Sequence, residues 1–558
     1  MRFAEWRASS EEGSVPFSEW AVLAAIVAGA LALRLWNVAE LAAHDPFFAR
    51  PSVDEQMYHE WAQRIAAGDW RGDQVFLNGP LYPYLLGGLY AIVGPSVYAA
   101  RAAQAVIGAL SCALTWWVGR RRFAPAVALG AAALVAVSRM LIFYDSVLVA
   151  DALMVPLALL AAAAAIAALD RPGLVRWFAV GIASGLGALA RPNLLLVGAL
   201  CAAWAAVSGR DHALPARAGW LAGFALGALV CIAPVTWRNY AVSGDFVPIT
   251  YSGGLNLFIG NNPDATGTFR VPRLFARSAA DDPWEQRAAF QHVAEQSLGR
   301  ELSPSEVSHF WSARALEFAR KYPALEARLL WHKLEVATNA FEPWNIRSAE
   351  LARESSAVLR LPLVGFGLVA PLALAGLLLT AARWRELVPL YAVLATVLAT
   401  LLAFFVLARY RIPAVPVLAL FACAGVAEAA VRLHARAPRA VVLAVLAAAL
   451  AGVWSHREVV RDDLSIAYYN LGNRYRELAD WPRAIESYRR VIQARPNYIS
   501  AYNNLALAYE ATGEHDALAR ATWERVRELG AAQRLPQYGE RAERHLRALA
   551  AFGKETGK

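Results

Sequence analysis

Residues Tyr144 to Leu160 read YDSVLVADALMVPLALL, and the apolar run within them continues through alanines to about residue 169. A helix needs about 20 consecutive apolar residues to cross the hydrocarbon core of a bilayer. The run from 146 to 169 meets that length, with one carboxylate, Asp151, near its start. The stretch therefore predicts a transmembrane helix with an acid near its N-terminal end, where a charge is costly unless it is paired or hydrated.

The rest of the chain has the same apolar character. Of its 558 residues, 58% are hydrophobic and 18% are charged, and the mean hydropathy is +0.35, which is too apolar for a soluble globular protein. Apolar runs of crossing length lie near residues 20–37, 97–118, 124–140, 146–169, 177–190, 192–207, 219–236, 357–380, 387–408, 413–432 and 438–455. They predict an all-α, polytopic transmembrane domain of about eleven spans.

The net charge of +9 is distributed as in a membrane protein and does not indicate nucleic-acid binding, because the arginines collect at the ends of apolar runs. Short basic loops face the cytoplasm in membrane proteins. Such loops lie at residues 119–122, 170–176, 209–217, 383–385 and 432–439. The intervening loops 38–96, 145–151, the Arg191 turn, 237–356 and 409–413 are then expected outside. The basic loops also place the N-terminus in the cytoplasm, and an odd span count then places the tail outside.

The tail contains an internal repeat. YYNLGNRY at Tyr468–Tyr475 recurs as YNNLALAY at Tyr502–Tyr509, with the 34-residue offset of tetratricopeptide repeats. We expect a transmembrane domain over 1–455 and a repeat domain over 456–558, with repeats at 465–498 and 499–531 and a capping helix at 532–551. Two repeats are fewer than the three or so that usually fold alone, so the tail is expected to lean on the membrane domain or on a protein partner.

Two adjacent carboxylates follow the first span, in RPSVDEQMYHEW at 50–61. Ser52 with Glu55 three residues later is a capping-box pattern that opens a helix, and Asp54 could simply favour the helix dipole. The alternative is chemical, since acids at a membrane boundary can act as a base or as metal ligands. Asp54, Glu55 and Asp151 are therefore the candidate catalytic residues, and the candidate ligands of a divalent metal ion if one is used.

Four arginines lie at the predicted outer ends of spans: Arg191, Arg238, Arg409 and Arg411. A guanidinium group offers a planar fork of donors that suits phosphate, although an arginine at the end of a span can also reach back to the interface without binding a ligand. Tyr58 and His59 beside the acids, and Tyr82 in NGPLYPYLL at 78–86, are candidate substrate contacts. The tyrosines of NGPLYPYLL also fit an ordinary interfacial aromatic belt.

Six stretches carry a family resemblance: VDEQMYHEWAQRI, NGPLYPYLL, YDSVLVADALMVPLALL, ARPN, PVTWRNY and ARYRIPAVP. In this order they resemble the bacterial membrane glycosyltransferases of the GT-C superfamily, a group that includes the aminoarabinose transferases and the protein O-mannosyltransferases. The resemblance covers about residues 18–455. It differs at Asn78-Gly79, where aminoarabinose transferases carry a basic residue, and this weakens the transfer of their donor to this chain.

The resemblance implies a multi-pass protein of the bacterial inner membrane with an outward-facing active site. Such an enzyme moves a sugar from a polyprenyl-phosphate donor to a lipid, glycan or protein acceptor. The first-loop acid of the family corresponds to Asp54, the second-loop acid to Asp151, and the late arginine to Arg409 or Arg411. Two alternatives remain: a transporter or flippase of lipid-linked sugars, for which the spans show no internal repeat, and a membrane-tethered scaffold that acts through its repeats.

Overall fold

The computed structural model describes residues 16–275, 283–460, 463–513 and 516–555. Within these ranges every regular element is helical, apart from two isolated backbone bridges, Ser138 with Val364 and Thr268 with Val406. The all-α prediction is therefore confirmed. The chain divides into two compact units, of which unit 1 comprises 1–43, 51–346 and 356–460, and unit 2 comprises 44–50, 347–355 and 461–558.

Unit 1 contains the helices of the predicted membrane domain and of its two long loops. They are α1 (Phe17–His44), α2 (Asp54–Ala66), α3 (Leu81–Val93), α4 (Val97–Arg120), α5 (Pro125–Ala136), α6 (Arg139–Tyr144), α7 (Asp151–Asp170), α8 (Leu174–Ala190), α9 (Leu195–Ser208), α10 (Leu214–Ser243), α11 (Ser252–Gly260), α12 (Pro283–Leu298), α13 (Pro304–Lys321), α14 (Pro323–Ala337), α16 (Ala357–Arg360), α17 (Phe366–Leu379), α18 (Val388–Ala403), α19 (Ala408–Arg411), α20 (Val415–His434) and α21 (Arg439–Ser455). Helix α15 (Ala349–Ser355) belongs to unit 2.

Every predicted span overlaps an apolar helix, but the count of eleven spans is not confirmed. Five helices within the described ranges are long and apolar enough to cross a membrane: α1, α4, α7, α10 and the continuous Ala408–His434 segment. The remaining predicted spans correspond to apolar helices of 10–17 residues. Length and composition therefore support a membrane-spanning protein.

The two backbone bridges explain why two of the predicted spans are short. The run predicted over 124–140 is interrupted where Val364 N–H donates to Val137 O and Arg139 N–H donates to Val364 O, each at 3.0 Å. The run predicted over 387–408 ends at Ala403, and Val406 N–H donates to Gly267 O at 2.8 Å. Non-helical backbone is tolerated at such places when it is buried in protein, and an apolar run does not show where this occurs.

Small residues allow the helices of unit 1 to pack closely. Helices α8 and α10 cross where Gly181 and Gly227 face the backbone of the opposite helix. A Cβ atom on Gly181 would lie 2.1 Å from Phe224 O, and one on Gly227 would lie 2.1 Å from Phe178 O. Close approach at small residues is a common basis for helix association in membranes, so these glycines fix where α8, and therefore the turn at its end, is held.

Unit 2 contains the repeats. Its remaining helices are α22 (Ser465–Glu477), α23 (Trp481–Ala494), α24 (Ile499–Thr512), α25 (Asp516–Ala532) and α26 (Pro536–Glu555). They form two helical hairpins and a final helix, which begins four residues later than the predicted cap. Tyr488 and Ala508 lie fully buried in the core of the first repeat and its neighbour, as the repeat pattern requires. The predicted domain boundary at 455/456 stays a prediction.

Two short segments from the long loops complete unit 2. Arg474 Nε donates to Pro46 O at 2.9 Å. Arg490 Nη1 and the Tyr468 hydroxyl both donate to Glu354 Oε1, at 2.8 and 2.7 Å. The repeats therefore pack against segments 44–50 and 347–355 of the same unit. That the tail leans on the membrane domain or on a protein partner stays a prediction.

Candidate functional site

Four charged side chains from distant parts of unit 1 meet in one cluster. Arg409 Nη1 lies 3.1 Å from Asp54 Oδ2 and 3.5 Å from Asp151 Oδ2. Arg191 Nη2 lies 3.0 Å from both carboxylate oxygens of Asp151. The structure thus brings together one predicted acid from each of two loops and two of the four predicted phosphate-binding arginines. We call these four residues, Asp54, Asp151, Arg191 and Arg409, the charge cluster.

Tyr410 fixes the relative positions of the two arginines. Its ring centroid lies 4.5 Å from the guanidinium carbon of Arg191 and 5.3 Å from that of Arg409. A cation over an aromatic face is attracted by the ring, more strongly where water is excluded, and Tyr410 is buried. The aromatic ring therefore holds two like charges close together while two carboxylates neutralise them.

The capping-box prediction for Ser52 and Glu55 is wrong. Helix α2 begins at Asp54, its N-cap residue is Val53, and no side chain caps it. Val53 has φ 53°, a conformation that is sterically unfavourable for a β-branched residue. The contacts of the two side chains that follow it, Asp54 with Arg409 and Glu55 with Arg101, help to hold the chain in this turn.

Glu55 is directed into the protein, away from the charge cluster. Its side chain is fully buried, and its Oε1 accepts from Arg101 Nη2 at 3.0 Å and from Leu148 N–H at 2.9 Å. The second contact ties α2 to the turn that leads into Asp151. Glu55 therefore has a positioning role in this structure: it sets the separation of the two loops that carry Asp54 and Asp151.

Arg34 and Gln104 hold the turn between α6 and α7, and neither residue is among the candidates predicted from the sequence. Asp145 Oδ2 accepts from Arg34 Nε at 2.7 Å, and Gln104 Nε2 donates to Asp145 O at 3.2 Å and Val147 O at 2.8 Å. A charged residue within an apolar run implies a buried partner. The positions of Arg34 and Arg101 in apolar runs therefore predict that each pairs with a buried acid. The identity of their partners depends on tertiary packing and could not be read from the sequence.

Arg409 is positioned by the insert between α10 and α15. Phe405 and Leu407 are buried in the same core as Trp311 of α13, and Ala408 N–H donates to Pro343 O at 2.8 Å. Buried Lys333 of α14 donates to Leu402 O at 3.0 Å at the end of α18. These contacts make the insert a rigid support for the segment that presents Arg409.

The three predicted substrate contacts lie on α2 and α3. Tyr58 is buried, with its ring centroid 5.1 Å from that of Tyr82. Burial raises the pKa of the Tyr58 hydroxyl, despite the opposing effect of nearby Arg191, so the hydroxyl stays neutral. The Tyr82 hydroxyl donates to Gln104 Oε1 at 2.6 Å. His59 is 2.8 Å from the Tyr90 hydroxyl, and burial lowers its pKa. Of the three, Tyr58 adjoins the charge cluster.

Arg238 and Arg411 lie apart from the charge cluster. Arg238 donates to the carbonyl groups of Arg71 and Gln74 and covers the ring of Phe76 at 3.9 Å. Arg411 donates to Asn339 O at 2.7 Å and also to Phe341 O at 2.6 Å. Their roles in phosphate binding stay predictions, and in this structure both guanidinium groups hold loop backbone.

The arrangement does not fit a divalent metal ion. A hard cation requires several oxygen ligands directed at one point, but Arg409 Nη1 lies between the carboxylates of Asp54 and Asp151, and Glu55 is turned away to Arg101. Among the described residues, no group of three or more His, Cys, Asp or Glu is placed to hold a metal.

A cavity of about 600 Å³ runs beside α2. Its lining includes Met57, which lies about one helical turn from Asp54, and an aromatic pair, Trp61 and Phe76, with ring centroids 5.3 Å apart. Amide and charged side chains complete the wall: Glu60, Gln63, Arg64, Asp73, Gln74, Asn78 and Arg238. The volume is in the range of small-molecule sites. The negative charges of Glu60 and Asp73 balance the positive charges of Arg64 and Arg238 in the cavity wall.

Comparison with known proteins confirms the resemblance over part of the chain. Residues 78–237 match the family described as dolichyl-phosphate-mannose-protein mannosyltransferase, a GT-C family, and residues 472–513 match the tetratricopeptide repeat. Curated protein sequences give no match.

The solved structures that match this chain share little sequence with it. The archaeal oligosaccharyltransferase AglB from Archaeoglobus fulgidus, in complex with an inhibitory peptide and a dolichol-phosphate, has 15% identity and a TM-score of 0.44, over 84% of this chain and 59% of that one. ArnT from Cupriavidus metallidurans bound to undecaprenyl phosphate has 17% identity and a TM-score of 0.34, over 75% of this chain and 79% of that one. The matched region thus spans less than two thirds of the archaeal enzyme.

The positioning role of Glu55 predicts a loss of stability upon neutralisation. Glu55→Gln leaves the buried Arg101 guanidinium without its carboxylate, and breaking such a pair costs about 3–5 kcal/mol. We expect a clear drop in the thermal unfolding temperature of the purified protein, whereas Asp54→Asn, at a partly exposed site, lowers it far less. Equal unfolding temperatures for the Glu55→Gln and wild-type proteins would contradict the positioning role.

Proposed function

We propose that this protein is a membrane glycosyltransferase that moves a sugar from a polyprenyl-phosphate donor to a lipid, glycan or protein acceptor. The observation that carries the proposal is the charge cluster, in which the guanidinium groups of buried Arg409 and half-buried Arg191 lie within hydrogen-bond distance of two carboxylates. Guanidinium groups bind phosphate, and a carboxylate can take a proton from an acceptor hydroxyl. The match of residues 78–237 to a glycosyltransferase family supports the same reaction class.

The cluster can perform a single displacement at the anomeric carbon of the donor. Asp54 accepts the proton of the acceptor hydroxyl, whose oxygen forms a bond to that carbon. The bond between the same carbon and the phosphate oxygen breaks, and its electron pair leaves with the polyprenyl phosphate. Arg191 and Arg409 stabilise the charge that grows on the phosphate. Attack from the face opposite the leaving group inverts the anomeric configuration.

Asp151 supports this reaction without taking the proton. Its carboxylate is fully buried and holds both arginines, so a charge loss there would leave buried Arg409 and half-buried Arg191 poorly compensated. We assign Asp54 as the base because its side chain is 22% exposed and an acceptor can reach it. Tyr58 lines the cluster as a neutral hydroxyl.

We propose that the acceptor approaches through the cavity beside α2. Its aromatic pair and its mixture of amides and balanced charges suit a neutral, hydroxyl-rich molecule better than a phosphate or a prenyl chain. The cavity reaches Met57, one turn from Asp54.

We further propose that the site and the repeat tail both face the outside of the bacterial inner membrane. The basic loops assign the cytoplasmic side, and loops 38–96 and 237–356 then lie outside. Unit 2 supports the same side for the tail, because its repeats pack against 44–50 and 347–355, which belong to those two loops. Tetratricopeptide repeats bind extended segments in a concave groove, so the tail would recruit the acceptor or a protein partner.

The proposed base predicts the effect of Asp54→Asn on transfer. The change keeps the shape of the side chain but removes its basicity, and general-base catalysis typically contributes about 10²–10⁴-fold. In a deletion strain complemented with the variant, mass spectrometry of glycans and glycolipids should show the unmodified pattern. The control Asp69→Asn, in the same loop but outside the cluster, should restore modification. Restoration by Asp54→Asn at the wild-type level would exclude Asp54 as the base.

The cavity predicts a specific role for Trp61. Purified wild-type protein in nanodiscs should give saturation-transfer NMR signals with neutral monosaccharides or disaccharides. Trp61→Ala should reduce these signals severalfold, because the aromatic pair is lost. Trp70→Ala is the matched control, since Trp70 lies in the same loop, is 64% exposed and does not line the cavity. Equal signals from the two variants, or none from the wild type, would contradict this assignment of the cavity.

The orientation predicts which cysteines react in intact cells. Cysteine placed at exposed Asn497 in the tail should be labelled by a membrane-impermeant thiol reagent without lysis of the inner membrane. Cysteine at exposed Ala213, in a basic loop, should be labelled only after lysis. Native Cys112 and Cys201 are buried, whereas Cys231 and Cys423 are half-buried, so labelling of the protein without an added cysteine sets the background. The reverse pattern would place the tail in the cytoplasm.

A further inference from the structure

Asp54 and Asp151 share Arg409, but they are held unequally. Asp151 is fully buried, and Arg191 also binds both of its oxygens. Among the described residues, Arg409 is the one cation within ion-pair distance of Asp54, whose side chain is 22% exposed. Breaking a partly exposed ion pair costs less than breaking a buried one. Of the two carboxylates in the charge cluster, Asp54 is therefore the one that can more readily leave its partner.

Two donors in the charge cluster lack an acceptor. The Nε atoms of Arg191 and Arg409 are buried, and neither has a hydrogen-bond partner. The Arg409 side chain is only 7% exposed, so bulk water does not readily satisfy it. Buried polar atoms in native structures are normally hydrogen-bonded. The two carboxylates contact the Nη atoms and do not accept from the Nε atoms. A tetrahedral anion has several acceptor oxygens and could accept from these remaining donors.

The balance of charge restricts how such an anion can enter. Two carboxylates and two guanidinium groups neutralise each other in the cluster. A phosphate adds negative charge to a buried site with no spare cation, which is unfavourable unless an existing anion withdraws. Since Asp151 is buried and doubly paired, the anion that withdraws is Asp54.

We propose that the phosphate of the donor displaces Asp54 from Arg409, and that this exchange converts Asp54 from an ion-pair partner into the general base. The inference rests on the proposed function. A carboxylate that loses a cationic neighbour accepts a proton more readily, so the base becomes effective when the donor is in place. The phosphate carries one negative charge in the sugar-linked diester and gains another when the sugar leaves. Its contacts with the arginines therefore strengthen as the bond breaks.

The exchange predicts that loss of the Asp54 carboxylate increases the affinity for the lipid product of the reaction. Undecaprenyl phosphate, titrated into the protein in nanodiscs and detected by native mass spectrometry, should bind Asp54→Asn more tightly than the wild type. Removing the carboxylate that competes with phosphate for Arg409, in a partly exposed ion pair, should lower Kd roughly fivefold. Asp69→Asn is the control for a general change in charge, because it removes one negative charge from the same loop without touching Arg409. It should leave Kd unchanged within about twofold.

The possible outcomes separate this inference from the proposed function. If the wild type binds undecaprenyl phosphate and Asp54→Asn binds it equally or more weakly, the exchange is overturned while the proposed function stands. Weaker binding is the result that a metal ion shared by Asp54 and the phosphate would give. If neither protein binds, both proposals fail. Binding by Asp54→Asn alone would support the exchange in its strongest form.

Discussion

The contact of Arg409 with both Asp54 and Asp151 is the interaction on which the rest of the site depends. It joins the start of α2 to the mouth of α7 through a residue that lies more than 250 positions further along the chain. Without a cation between them, two carboxylates at this distance would repel each other in a poorly hydrated region. Arg191 and the Tyr410 ring complete the arrangement, so that an apolar protein can keep four charges together at the end of its spans.

The surrounding structure holds this contact in place from three sides. Glu55 ties α2 to Leu148 in the turn before Asp151. Arg34 fixes Asp145 at the other end of that turn. The insert holds the segment before Arg409 through the core around Trp311 and through Lys333. Preorganised charges of this kind stabilise developing charge without having to reorganise. The unfavourable φ of Val53 is consistent with a turn whose geometry is imposed by these contacts.

Much of the fold could be predicted from the sequence, because helix type follows from local apolar runs and the 34-residue repeat period. Helix length could not, because the Val364 and Gly267 backbone groups that interrupt α5 and α18 come from distant segments. The candidate acids and two of the arginines were predicted from their position at span ends. The sequence could not show that Glu55 faces Arg101, or that Arg238 and Arg411 are directed to carbonyl groups, since these contacts join residues far apart in the chain.

An experimental structure with bound lipid phosphate tests the central claim most directly. Cryo-electron microscopy of the full chain in nanodiscs, in the presence of undecaprenyl phosphate, should show the phosphate within hydrogen-bond distance of Arg191 and Arg409, with Asp54 withdrawn from Arg409 and Asp151 still paired. A phosphate bound instead at Arg238 or Arg411, with the contact between Asp54 and Arg409 intact, would contradict the account.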